Sequence, residues 1–424
     1  MEKHQIKNFD ELAITPNRKI ALEIIEAGLD VINTRKVVDS SVSVVGNILF
    51  VKDKPFNLTK YKKIKVIGFG KSSCEAALAL EKVLGARINE GAVIGLQKVD
   101  YKYIETFTGT HPRPSEANIE AGKKIYEIIN QSDEKDLIIV LVSGGGSALL
   151  CYPESEVIQG AKLYDAFLKS GKTISEMNTV RKHLSLLKGG GLAKLAYPAT
   201  VVGLIFSDVP GNHFEDVASG PTYKDKTTIV DAQKIITENN LGDFDLIETP
   251  KEDKYFDNIY NFVLVSNKTA VEAMAKKAQE FNLGVTIAST DLYDEIDNAL
   301  EKIFSYQKDN SVILAAGEPS IVVKKETGKG GRNLHMGLQA IKMKIIDKNS
   351  VFISFASDGM DNSDAAGAVV DKNTIEKIEK LGIDIKNSLE RFDSYPVFEK
   401  SGDIIITGPT GANVSDLMIL LTKK

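Results

Sequence analysis

The sequence predicts an α/β protein of two domains, and three observations predict it. Nine short apolar runs are separated, for the most part, by segments of helical length. Buried strands alternating with helices are the pattern of layered α/β folds with largely parallel sheets. Six of the runs end in loops of Gly, Ser, Asp and Pro, and open α/β sheets bind ligands outside the carboxyl ends of their strands. A stretch at 223–260, rich in Lys, Asp, Glu and Thr, separates the glycine-rich first half from a second set of runs. The boundary is expected within it, giving domains of 1–240 and 241–424 with a cleft between them. A final segment crossing back to the first domain stays open.

Taken in order, residues 11–45 carry apolar positions at helical spacing, as in Ala21, Ile24, Ile25, Leu29 and Ile32. Strands are expected near Ile64–Phe69, Ala92–Leu96, Leu137–Val142 and Thr200–Phe206 in the first half. The second half supplies Phe262–Val265, Val285–Ala288, Val312–Ala316, Val351–Ala356 and Ile404–Thr407. No short-period repeat or low-complexity tract interrupts them.

Composition narrows the function classes. The chain has 424 residues, 43% apolar and 26% charged, which suits a soluble globular protein with a substantial core. A net charge of −5, with Lys and Arg spread along the chain, argues against a nucleic-acid partner. No run approaches the roughly 18 apolar residues of a membrane span. The N-terminus lacks the apolar stretch of a secretory signal, so a cytoplasmic location is the default. Cys74 and Cys151 are too few for a disulfide framework or a cysteine metal site. They are expected to pack as small residues, a reactive thiol being the alternative. The five histidines show no HxxxH spacing, which argues against zinc.

The loops carry the chemistry. Leu137–Val142 runs into Ser143, Gly144, Gly145, Gly146 and Ser147, a tight turn leading to a helix start. Glycines let a ligand approach the backbone, and unpaired N–H groups at a helix start favour an anion. A nucleophile elbow needs G-x-S-x-G, which this spacing does not match. Gly70-Lys71-Ser72 resembles the end of a P-loop, but Lys65 stands where the first glycine would be. Ser73 likewise breaks a GxGxxG fingerprint beginning at Gly68. Lys71 still sits where a strand meets a helix, aimed at whatever that turn binds; the alternative is an exposed lysine in a first helical turn. Asn178, Arg181 and Lys182 share one helical face, just ahead of Lys188, Gly189, Gly190 and Gly191. That face reads as an anion grip or as a solvated surface. Gly328–Asn333 is a second basic glycine loop, containing Arg332, read as an anion donor or as a flexible hairpin tip. Asp208, Asp358 and Asp361 follow strands, as metal ligands or as turn and helix-cap carboxylates. His111, in the stiff His-Pro-Arg-Pro segment, either faces the cleft or belongs to a connector.

These motifs, in this order, resemble the glycerate 2-kinase family, whose C-terminal part is the MOFRL domain. The resemblance rests on Gly68–Ser72, Gly109–Pro112, Ser143–Leu149, Met177–His183, Ser207–Gly211, Ala218–Thr222, Gly317–Ser320, Gly330–Asn333, Ala356–Asp361 and Gly408–Asn413. It runs from about residue 65 to the C-terminus. It implies two α/β domains, a Rossmann-like parallel sheet first and a MOFRL-type α/β domain second, with the active site in the interdomain cleft. It implies ATP-dependent phosphorylation of D-glycerate at the 2-hydroxyl, a step of carbohydrate catabolism of the non-phosphorylative Entner–Doudoroff type. The family's cleft lysine and arginine map onto Lys71 and Arg332.

On that reading, Ser143–Ser147 and the Lys188–Gly191 turn hold the ATP phosphates. Mg²⁺, or another divalent cation, sits near Asp208 or Asp358. Lys71 and Arg332 approach the transferred group, and His111, Asn178 and Arg181 hold the substrate. Asp208 is the preferred acceptor of the hydroxyl proton. The alternatives are an NAD(P)H-dependent hydroxypyruvate reductase, whose fingerprint loop is missing here, and a non-catalytic sugar-phosphate-binding protein. The sequence leaves a homo-oligomer open.

Overall fold

Contiguous apolar segments that bury both faces become interior strands of parallel sheets, and the longest such segments build the centre of this chain. The computed structural model describes residues 4–170, 174–323 and 328–424. The chain divides into two compact units. The first comprises Thr34–Val209 and His213–Leu264; the second comprises the chain up to Asn33, Pro210–Asn212, and Val265–Lys424.

The first unit opens with an antiparallel meander of β1 (Val42–Val45), β2 (Ile48–Val51) and β3 (Lys54–Asn57). Then come β4 (Lys63–Phe69), β5 (Ile88–Gly95), β6 (Glu105–Thr108), β7 (Asp136–Ser143), β8 (Thr200–Phe206) and β9 (Ile259–Val265). They form one sheet in the order β6-β5-β4-β7-β8-β9. The β5–β6, β4–β5, β4–β7 and β7–β8 pairs are all parallel. Counted along the chain this is the order 3-2-1-4-5-6 of the doubly wound dinucleotide-binding fold. The order reverses between β4 and β7, so the loops that leave their carboxyl ends lie side by side. Ile67, Phe69, Val140, Val142 and Val201 pack below them with Ile125, Ile129 and Leu192 from the covering helices.

The second unit carries β10 (Gly284–Leu292), β11 (Ser311–Gly317), β12 (Ser350–Ala356), β13 (Gly367–Val370), β14 (Ile404–Ile405) and β15 (Asp416–Thr422). Their order is β10-β11-β15-β12-β13-β14. Here the expectation of a largely parallel sheet does not hold. Among the described residues only the β10–β11 pair of this sheet is parallel; β15 enters between β11 and β12 and runs antiparallel to both, with Ile419 opposite Leu314 and Ile353. All of β15 is buried, which explains its apolar Leu417–Leu421 run.

The units also divide the chain elsewhere than at 240/241. The polar stretch at 223–260 belongs wholly to the first unit. Its helix Ile229–Glu238 buries Ile236 against Leu163, Val180 and Leu184. Asp225, buried, accepts hydrogen bonds from Thr227, Thr249 and Lys182. Polarity here is an internal network, not a linker. It is the N-terminal segment, not the C-terminal one, that joins the unit remote from it in sequence. Helix Pro16–Val31 starts with a Thr15 cap and Pro at its first position. It packs so closely on helix Asn267–Glu280 that a Cβ on Gly28 would stand 2.8 Å from Met274 Cγ. Arg18, fully buried, donates through Nε and Nη2 to Asp371 at 2.7 and 2.6 Å and through Nη1 to Asp403 at 2.7 Å. No helix among the described residues is long and apolar enough to cross a membrane.

Candidate active site

The reversal between β4 and β7 brings together Lys71, His111 and the Ser143–Ser147 loop. After β4, Gly70 turns with φ +119°, and a Cβ there would collide with Ser143 Oγ and its carbonyl. The Lys71 N–H donates to Gly144 O at 2.8 Å, and the Ser72 N–H to Ser143 Oγ at 3.1 Å. The two loops are thus one structure. Gly145 takes φ +78°, and a Cβ added to it would lie 3.2 Å from Lys71 Cγ and 3.3 Å from His111 Cδ2. The side chains of Lys71 and His111 therefore pass over the Gly145 backbone. Ser147 Oγ lies 2.8 Å from Ser219 Oγ, and Gly146 meets Ala218, so the turn at 218–220 closes the loop from the other side.

Four expected phosphate ligands are otherwise employed. The Lys188 ammonium is fully buried, paired with Glu156 and donating to Leu150 O. Burial pushes the Glu156 carboxyl up, and Lys188 opposes that shift. The Gly189 and Gly190 N–H groups donate to Ser219 O and Gly220 O at 2.9 and 2.8 Å. Ser143 Oγ is also committed, to Ser72. The helix expected after the loop is one turn, Gly146–Leu149, so little dipole supports an anion there. What remains for a phosphate is the backbone of Gly144–Ser147, whose helical first turn leaves N–H groups without intrahelical partners.

A prediction follows for Lys188→Met. A buried carboxylate stripped of its partner costs about 3–5 kcal/mol, so the variant should melt well below the parent. The Michaelis constant for nucleotide should stay unchanged. A raised constant with an unchanged melt would restore the ligand role.

Helix Ile174–Lys182 positions Asn178 and Arg181 one turn apart. The Arg181 guanidinium donates to Asn178 Oδ1 at 3.0 Å and reaches Met177 Sδ at 3.5 Å. Among the described residues it has no carboxylate partner, and burial lowers its pKa. Lys182, by contrast, is paired with Asp216 and Asp225 at 3.2 and 3.5 Å. Asp208 lies on the loop after β8, half-buried.

In the second unit, Arg332 is the first residue of helix Arg332–Lys342. Its Nε donates to Asp416, and its Nη2 lies 3.3 Å from Glu318. Burial works against the guanidinium charge, but these carboxylates outweigh it and raise the Arg332 pKa. Asp361 caps the same helix, accepting from the N–H groups of Gly331, Asn333 and Leu334 at 3.1, 3.1 and 2.8 Å. Burial pushes both Asp361 and Asp416 up to about 6. Asp358 Oδ1 accepts from the Met360 N–H at 3.1 Å, and its carbonyl from the Thr410 N–H at 3.1 Å, joining its loop to the 408–413 loop. Sequence reasoning did not single out Asp416, and it placed Glu318 in the Gly317–Ser320 motif without giving it a role. An Asp placed directly before a buried run, and a Glu directly after one, were the available signals. The two cysteines are buried, and burial raises both thiols, that of Cys151 to about 12; packing is their role.

A doubly wound sheet with a glycine loop beside Lys71 at its reversal point has the form in which open α/β sheets bind small ligands. Two family descriptions match the chain: a domain of unknown function (DUF4147) over residues 20–247, and the MOFRL family over residues 311–416. A glycerate 2-kinase of Pyrococcus horikoshii is 34% identical, covering 95% of this chain and 97% of its own. A relative from Agrobacterium vitis, provisionally named a hydroxypyruvate reductase, is 35% identical over 84% of this chain and 86% of its own. The crystal structure of a glycerate kinase from Thermotoga maritima aligns with a TM-score of 0.81 at 30% identity, covering 95% of this chain and 99% of that one. The chain belongs to the glycerate 2-kinase family marked by the MOFRL domain, a family of phosphotransferases.

Proposed function

We propose that this chain is a cytoplasmic enzyme that transfers the γ-phosphoryl group of ATP to the 2-hydroxyl of D-glycerate, giving 2-phosphoglycerate. The observation that carries the reading is the reversal point of the first sheet, where Lys71 and His111 overlie the Gly145 backbone. Phosphoryl transfer asks a protein chiefly for positioning and charge neutralisation, and that loop offers both. The backbone of Gly144–Ser147 receives the nucleotide phosphates, and Lys71 neutralises charge on the transferred group, as does Arg332. Arg181, lacking a carboxylate partner among the described residues, takes the glycerate carboxylate in its planar fork. Asn178 and His111 orient the hydroxyls, and Asp208 accepts the hydroxyl proton.

A divalent cation would fit this donor set with the nucleotide's own phosphates among its ligands. Among the described residues no group of three or more His, Cys, Asp or Glu side chains could hold a metal ion. An ion that keeps the nucleotide's phosphates as ligands needs just one or two carboxylates. Asp208 or Asp358 would hold it. When bound, Mg²⁺ supplies neutralisation of phosphate charge.

The test is an assay with ATP, Mg²⁺ and D-glycerate that resolves the 2-phospho from the 3-phospho product. ATP-dependent formation of the 2-phospho ester is expected. Because the strand order also suits a dinucleotide, NADH and hydroxypyruvate are run in parallel. Oxidation of NADH without any phospho product would overturn the kinase reading.

A further inference from the structure

Arg332 stands at an awkward place for a cation. It begins a helix of eleven residues, and the positive end of a helix dipole disfavours positive charge. Asp361 answers the dipole by capping the free N–H groups. Asp416 and Glu318 do something different: they bind the guanidinium itself. Both lie along one edge of it, Asp416 on Nε and Glu318 beside Nη2. Among the described residues Nη1 makes no hydrogen bond. Asp416 is almost wholly buried, with 4% of its side chain exposed, whereas Arg332 retains 34%. The carboxylate therefore lies beneath, and the guanidinium keeps an outward part. Asp416 is itself fixed, because it starts β15 opposite Gly317 on one side and Ala356 on the other. Glu318 directly follows Gly317. Two central strands thus hold the two carboxylates that hold the arginine.

We propose that Asp416, with Glu318, is a positioning residue that fixes the Nε–Nη2 edge of Arg332 and presents Nη1 to an anionic oxygen of the transferred phosphoryl group. The proposal rests on the assignment of Arg332 to that group. A long arginine side chain surrenders rotamer freedom when it engages a ligand. Holding one edge removes that freedom before binding and pre-organises the donor for the charge that develops. Lysine would not serve, since it lacks a second edge to be held by.

The experiment is a double-mutant cycle on the full chain, read by steady-state kinetics and by thermal melts. Asp416→Asn should lower kcat about tenfold or more while leaving both Michaelis constants within about twofold; restoring the carboxylate with Asp416→Glu should recover part of the loss. In an Arg332→Ala background, Asp416→Asn should cost no further activity. It should also raise the melting temperature of that background, because it neutralises a buried carboxylate that has lost its partner. Glu318→Gln, on a half-exposed side chain, is the companion should Asp416→Asn fail to fold, and several-fold loss of kcat is expected of it. An equal loss in the presence and absence of Arg332, or full kcat in the carboxylate variants while Arg332→Ala is crippled, overturns the positioning role alone. Full kcat in Arg332→Ala overturns the assignment of Arg332 and the positioning role with it.

Discussion

Replacing Lys71 with alanine is expected to lower kcat by about 10²-fold or more, the range seen when a preorganised charge partner is removed from a developing anion. The fold should survive. The Lys71 N–H donates to Gly144 O, a backbone bond that alanine keeps. The side chain lies over Gly145, where L side chains are strained and a Cβ would press on Lys71 Cγ. The local architecture thus keeps the Gly145 backbone bare beneath the lysine. Lys71→Met separates charge from shape, since it retains the bulk over Gly145 and should be nearly as slow as alanine. The two variants are compared by steady-state kinetics with a melt alongside. Near-parental kcat in either, with an unchanged melt, would remove Lys71 from the chemistry.

The parts of this site that the sequence exposed are those encoded in contiguous residues. The apolar run at 137–142 continues straight into the Ser143–Ser147 turn, so strand and loop are legible together. The alternation of such runs with helices makes the parallel sheet legible, while the strand order that sets the reversal point is visible only in the structure. What the sequence concealed is pairing across distance. Lys188 looks like a phosphate ligand because glycines follow it, yet its partner Glu156 lies 32 positions away. Gly189 and Gly190 have the composition of an anion loop, but their N–H groups close on the 219–220 turn. The four-residue strands β1–β3 are too short for periodicity to register. β15 escaped because no helix-length segment sets it off from the 408–413 loop, and with it went Asp416. Polarity at 223–260 misled for the same reason: a linker and an internal network of Asp225 with Lys182, Thr227 and Thr249 read alike in one dimension.

A loss of stability as large as that of Lys188→Met, about 3–5 kcal/mol, is expected from Arg18→Leu. Arg18 and Asp371 are 353 positions apart, and their bond ties the first long helix to the second unit. Leucine fills much of the space but leaves Asp371 and Asp403 buried without the guanidinium. The pH dependence identifies charge as the cause. In the parent, burial would raise the Asp371 carboxyl, but the hydrogen bond and charge of Arg18 and the Thr374 N–H overcome it and hold it below its usual range. A carboxyl depressed in the folded state contributes stability that is fully present above its unfolded value, about 3.9, and is lost only as pH falls through the folded value. In the variant the Arg18 contributions vanish while burial stays, so the folded Asp371 value rises. The variant must then bind a proton on folding, which grows easier as pH falls. Its deficit in melting temperature should be greatest near pH 7 and should narrow towards pH 4, where the parent still keeps most of its own ion-pair stability. A deficit constant across that interval would instead assign the loss to packing around the guanidinium stem, and would make Arg18 a space-filling residue of the second unit with no electrostatic hold on its C-terminal half.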